Sequence, residues 1–105
     1  MRIIDFHTHC YTDALAERAM RKLAESGGIA YYHDGTVRGL IRSASDAGVD
    51  LSVVMPIATK ESQNTTINTW AAEVQEENDA CSASVRFIRL RPIIRPLWRR
   101  LLSWG

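Results

Sequence analysis

Residues 3–9 are the segment that most constrains the fold, because they form a short apolar run that ends in two histidines. Side chains alternate across an extended backbone, so His7 and His9 are expected to project to the same side of a strand, with Asp5 one step behind them. Two adjacent imidazoles suit zinc or a similar divalent ion, which takes about three protein ligands and a water in a catalytic site. The pair therefore predicts half of a metal site. The alternative interpretation is that both histidines are ordinary polar residues where a strand meets a loop.

The chain is long enough for one small domain. It has 105 residues, of which 46% are hydrophobic and 24% charged, as in ordinary globular proteins. The N-terminus lacks the apolar core of a secretory signal, and no apolar run approaches the roughly 20 residues of a membrane-spanning helix. We therefore expect a cytoplasmic protein. Cys10 and Cys81 are then expected to be free thiols, and Cys10 is interpreted as a structural residue rather than a metal ligand.

Hydrophobic spacing and turn residues predict the order strand, helix, helix, strand, helix, an α/β pattern that favours a parallel sheet. In this pattern His33 is interpreted as a loop residue and Trp70 as a packing anchor. The apolar positions of the first helix are Leu15, Ala19, Met20 and Leu23. The predicted elements are a strand over 2–6, a helix from 12 or 13 to 27, a helix from 36 to 48, a strand over 49–57 and a helix over 67–78.

Residues 1–79 resemble the N-terminal part of the amidohydrolase-related (amidohydrolase family 2) metal-dependent hydrolases, a family that includes proteins like aminocarboxymuconate semialdehyde decarboxylase. The helix and the apolar strand also follow the histidine motif in the family's order. The segments that carry the resemblance are Ile4-Asp5-Phe6-His7-Thr8-His9, Leu40-Ile41, Ala47-Gly48-Val49-Asp50, Val53-Val54-Met55-Pro56-Ile57 and the helix from Asn68 to Asn78.

The resemblance implies an α/β fold, the (β/α)8 TIM barrel, with one or two divalent metals, often zinc, at the carboxyl ends of its strands. In such a barrel a metal-bound water attacks a small-molecule substrate. By the same resemblance, His7 and His9 would be the first two metal ligands, and Asp5 would orient a ligand histidine and fix its tautomer. The remaining family ligands, two histidines and an aspartate that also transfers protons, come from later strands.

A barrel of this kind needs roughly 250 residues. The chain is therefore expected to be an N-terminal fragment, the first quarter to third of a barrel. We expect this polypeptide by itself to bind a divalent metal, zinc in the first instance, weakly and to be catalytically inactive. The sequence leaves open the substrate, the choice between hydrolase and decarboxylase, and the identity and number of the metals.

Residues 80–105 differ in composition from the rest. Residues 1–84 hold seven Lys or Arg against 12 Asp or Glu, a net charge of −5, whereas residues 85–105 hold six Arg and no acid, a net charge of +6. Such an Arg, Ser, Leu, Pro and Trp mixture is typical of GC-rich DNA read out of frame, and a shifted reading of 80–89 resembles the family's third strand. We therefore divide the chain into a partial barrel domain over 1–79 and a tail over 80–105 that we hypothesise to be out of frame.

Two further expectations concern partners. A small non-catalytic metal- or partner-binding protein, whose basic tail contacts nucleic acid or an anionic membrane, is the alternative function. Because Pro92 and Pro96 break any helix in the tail, we expect neither partner. Two parallel strands alone would leave apolar faces and edges uncovered, which predicts self-association unless the tail folds back as a third strand through 82–90.

Overall fold

A computed structural model of the chain describes residues 1–58, 60–79, 81 and 83–90. The first five strands and helices follow the predicted order, and a third strand follows them within the range foreseen for a folded-back tail. A 3-10 turn over Glu61–Gln63 leads into the third helix. The elements are β1 (Ile4–Thr8), α1 (Asp13–Gly27), α2 (Val37–Asp46), β2 (Leu51–Val54), α3 (Asn64–Glu77) and β3 (Ser84–Phe87).

The three strands form a parallel sheet in the order β1-β2-β3. β2 and β3 pair without interruption, from Leu51 opposite Ser84 to Val54 opposite Phe87. The register of β1 against β2 changes by one residue along the strand, because Asp5 lies opposite Ser52 whereas Thr8 lies opposite Val54. Phe6 and His7 of β1 therefore face the single residue Val53 of β2, so the extra residue falls in the stretch that contains the first histidine. The α/β class and the parallel sheet are confirmed.

The core lies between one face of this sheet and helices α2 and α3. Val54 and Val85 are the most deeply buried large side chains, at 0% and 1% exposure. Trp70 of α3 packs edge to face on Phe87 of β3, with ring centroids 5.4 Å apart, which confirms its interpretation as a packing anchor. The buried cluster consists of Cys10, Leu40, Val54, Val74 and Val85.

The first helix departs from its predicted packing. Leu15 and Leu23 stay 44% and 50% exposed, and Ala16 is the buried residue of α1. The helix packs instead on the turn that precedes α2, where a Cβ at Gly35 would lie 2.5 Å from Cγ of Met20. The 3.6-residue period thus identified an amphipathic helix correctly but not the surface that it contacts.

The second strand is shorter than the predicted range of 49–57. Val49 donates its N–H to the carbonyl of Ala44, so it still belongs to the end of α2. At the other end Pro56 has no N–H to continue the ladder. The third helix, conversely, begins at Asn64 rather than at 67.

Residues 91–105 lie outside the described residues, and with them most of the basic tail. The division at 79/80, the out-of-frame origin and the partners of the tail therefore remain predictions. β3 falls within the tail segment and pairs with β2 along its whole length. Among the described residues no helix combines the length and the apolar character needed to cross a bilayer.

Candidate metal centre

His7 and His9 lie side by side at the carboxyl end of β1. Their Nε2 atoms are 3.2 Å apart, and the ring planes meet at 76° with centroids 5.1 Å apart. The two imidazoles therefore share one side of the strand and point the same ring nitrogen at a common point.

The separation of the two Nε2 atoms fits a shared metal ion. Nitrogen ligands lie about 2.0–2.1 Å from zinc, so two ligands of one tetrahedral ion are about 3.3 Å apart. The observed 3.2 Å is close to this tetrahedral edge. An ion about 2.0 Å from both nitrogens would therefore require little change in their separation.

The carbonyl of Met55 fixes the tautomer of His9. Nδ1 of His9 lies 2.8 Å from this oxygen, which can only accept a hydrogen bond. Nδ1 must therefore carry a proton, and in the neutral ring the lone pair of Nε2 is then free for a metal. Without a metal, Nε2 of His7 donates its hydrogen to that lone pair across the 3.2 Å gap. A metal ion would take the place of that hydrogen.

Thr8, between the two histidines, anchors this stretch to β2. Its hydroxyl donates to the carbonyl of Val53 at 2.8 Å, and its own carbonyl accepts from the N–H of Met55 at 2.9 Å. Thr8 is buried and lies opposite the buried Val54. Because side chains alternate along a strand, His7 and His9 lie on the other face, away from the helices.

Asp5 contacts the main chain of His7 rather than its ring. Its Oδ1 accepts a hydrogen bond from the His7 N–H at 3.0 Å. The shift in register accounts for this geometry. Asp5 pairs with Ser52, which lies on the same face of the sheet as Val54. Asp5 therefore does not lie on the side of the histidines, although simple alternation predicts that it should. The orienting role of Asp5 toward a ligand ring stays a prediction.

The Met55 carbonyl is the functional group that the sequence missed. A main-chain oxygen has no residue type by which it can be recognised, and it is brought to His9 only by the pairing of β1 with β2. The sequence signal that could have found it is the position of Met55 directly before Pro56, which ends the second apolar strand at the edge of the sheet where β1 also ends.

Cys10 belongs to the core. It is 3% exposed, and burial raises the pKa of its thiol to about 12. It packs in the buried cluster with Leu40, Val54, Val74 and Val85. The structural interpretation of Cys10 is thereby supported, and both cysteines are free as expected.

His33 accepts a hydrogen bond at Nδ1 from the N–H of Gly35, 3.0 Å away, in the loop between α1 and α2. It lies in a loop, as predicted.

The part of the chain that the structure describes contains no group of three or more His, Cys, Asp or Glu side chains able to hold a metal ion. No family model, curated protein or solved structure matches the chain.

Proposed function

We propose that His7 and His9 bind a divalent metal ion, with zinc as the first candidate. The observation that carries this proposal is the 3.2 Å between their Nε2 atoms. The hydrogen bond from His9 Nδ1 to the Met55 carbonyl meets a second requirement of a metal site, because it leaves the lone pair of Nε2 free in the neutral ring.

We further propose that the chain corresponds to the opening segment of an amidohydrolase-related (β/α)8 barrel. Its strands are parallel and adjacent in chain order. The buried positions Thr8, Val54 and Val85 lie on the helix side, which is how a singly wound barrel, with helices outside, is built. The histidines lie on the opposite face, which in a closed barrel is the interior, at the strand end where barrel enzymes carry out their chemistry.

The chemistry of this segment is metal binding. When bound, a divalent ion supplies Lewis-acid assistance to hydrolysis or decarboxylation, the two reaction classes open to the parent family. His7 and His9 hold the ion, and the Met55 carbonyl keeps the His9 ring in the binding tautomer. The described residues bring only these two side-chain donors together, and we propose on this basis that the polypeptide by itself is inactive. Turnover of amide, lactone or carboxylate substrates that depends on added metal would contradict this.

Metal binding is tested by calorimetric titration of the purified chain with zinc. The variants His7→Ala and His9→Ala should each lose the binding signal, because each leaves only one of the two imidazole ligands. His33→Ala is the matched control, because it removes the third histidine, in a loop, and should bind as the wild type does. Unchanged zinc binding by the double variant of His7 and His9 would overturn the proposal.

A further inference from the structure

The histidine pair leaves a metal ion half coordinated. Zinc is almost always four-coordinate in structural sites, and catalytic sites add a water to three protein ligands. Across the ranges 1–58, 60–79, 81 and 83–90, no third His, Cys, Asp or Glu side chain joins the pair to form a larger donor group. Two positions of a tetrahedral ion would therefore remain for ligands other than these histidines.

The face of the sheet that carries the pair is accessible. Thr8 and Val54, on the opposite face, are covered by the core, whereas His7 is exposed and His9 is half-buried. Another polypeptide can therefore approach the two Nε2 atoms from the open side.

The same open face carries apolar side chains. Ile4 pairs with Leu51, and Val53 follows two residues later, so alternation places all three on the face opposite Val54. Ile4 is exposed, and Leu51 and Val53 are half-buried. Ile57, two residues after Met55, is also exposed. A molecule bound over the histidines would cover these groups and gain from their burial.

A second copy of the chain can supply the two missing ligands and also cover the apolar side chains of the open face. In a tetrahedron, a two-fold axis relates one edge to the opposite edge, so two symmetric His7–His9 pairs supply four nitrogens to a single ion. The 3.2 Å edge within each pair already has the required length. Such a contact is isologous and closes after two chains.

We propose that His7 and His9 of one copy and the same pair of a second copy hold one zinc ion in a four-nitrogen site shared by two chains. This inference rests on the proposed function, because it assumes that the pair binds a metal. It adds the source of the missing ligands and a partner, the second copy.

The test is a zinc titration of the chain followed by sedimentation and by X-ray absorption at the zinc edge. Binding should saturate at one zinc per two chains, the mass should double, and the absorption should report four imidazole nitrogens at about 2.0 Å. Excess zinc should reverse the dimer, because each pair then takes its own ion. EDTA should also reverse it.

The variants separate the outcomes. His7→Ala and His9→Ala, checked for wild-type circular dichroism, should show no zinc-dependent doubling, and His33→Ala should behave as the wild type. Saturation at one zinc per chain, with two nitrogens and added oxygens, overturns the shared site but leaves the metal site intact. Absence of zinc binding overturns both proposals. Zinc binding with no zinc-dependent increase in mass and with fewer than four nitrogens around the zinc overturns the shared site, even if the chains already associate through other surfaces.

Discussion

The orientation of a single ring, that of His9, depends on a main-chain oxygen. Nδ1–H of His9 donates a hydrogen bond to the Met55 carbonyl at 2.8 Å, and the register shift in β1 includes His7. Both effects act through the backbone of neighbouring strands. Substitution of Met55 by another residue should therefore leave the metal site largely intact, whereas Pro at this position would remove the N–H that bonds Thr8.

The two thiols should differ sharply in reactivity. Cys81 is exposed, whereas Cys10 is buried and the pKa of its thiol is raised to about 12. On the order of one Cys10 thiol in ten thousand is then ionised at pH 8, and the thiolate is the reactive form. A disulfide reagent at pH 8 should modify one thiol per chain quickly and the second only in urea.

Cys81→Ser provides the control for this measurement, since it should abolish the fast phase and leave the urea-dependent one. A fast reaction of Cys10 in the folded Cys81→Ser chain would show that the core described around Cys10 opens readily.

At the scale of elements, the start of α2 illustrates a cap made of two side chains. The hydroxyl of Thr36 accepts from the N–H of Gly39 at 3.0 Å, and Oδ1 of Asp34 accepts from both the hydroxyl and the N–H of Thr36. Thr36→Ala should lower the free energy of unfolding by about 1 kcal/mol. Urea denaturation followed by circular dichroism measures this change.

Thr12→Ala is the matched control at α1, because Thr12 occupies the same position there without a side-chain cap bond. Its effect should be small.

The hydrogen bonds from Thr36, first from its hydroxyl and then from its N–H, hold the pKa of the Asp34 carboxyl below its ordinary value. The stability that these hydrogen bonds contribute is therefore fully present above about pH 4, which is the pKa of an Asp carboxyl in the unfolded chain. It is lost as the pH falls through the lower pKa of the folded state. The difference between wild type and Thr36→Ala should narrow in acid.

The two faces of β2 should respond differently to truncation. Val54 is fully buried against the helices, whereas Val53 faces the open side and is half-buried. Val54→Ala should cost about 2 kcal/mol, from lost burial and the cavity that remains. Val53→Ala should cost clearly less by the same urea measurement. Equal losses would mean that the open face is covered as well as the core face.

Local signals in the sequence predicted the elements well. Thr36 caps the start of α2, and Gly28 and Gly48 follow α1 and α2 at φ 62° and 73°. The chemistry of these residues acts within a few positions of the chain. The register shift of β1 and the contact of His9 with Met55 depend on residues 46 positions apart. Period and composition along one segment carry no information about such pairings, which is also why the exposure of Leu15 and Leu23 was not predicted.

At the scale of the whole molecule, the described chain is an open sheet with one covered face. Helix α3 protects part of the outer edge of β3, because Gln75 accepts from the N–H of Phe87 and Asn68 bonds both main-chain groups of Leu90. A barrel that continued from β3 would have to replace these bonds with a fourth strand. Self-association therefore stays a prediction that concerns the open face and the β1 edge more than the β3 edge.

We propose that the two N-terminal histidines bind one metal ion together through Nε2. The most direct measurement is long-range proton–nitrogen NMR of the imidazole rings, recorded before and after zinc is added. We expect His9 to start with its proton on Nδ1, and we expect the Nε2 resonances of His7 and His9, but not the His33 resonances, to shift on zinc binding. Zinc shifts confined to His33, or a His9 ring protonated on Nε2 throughout, would contradict this proposal.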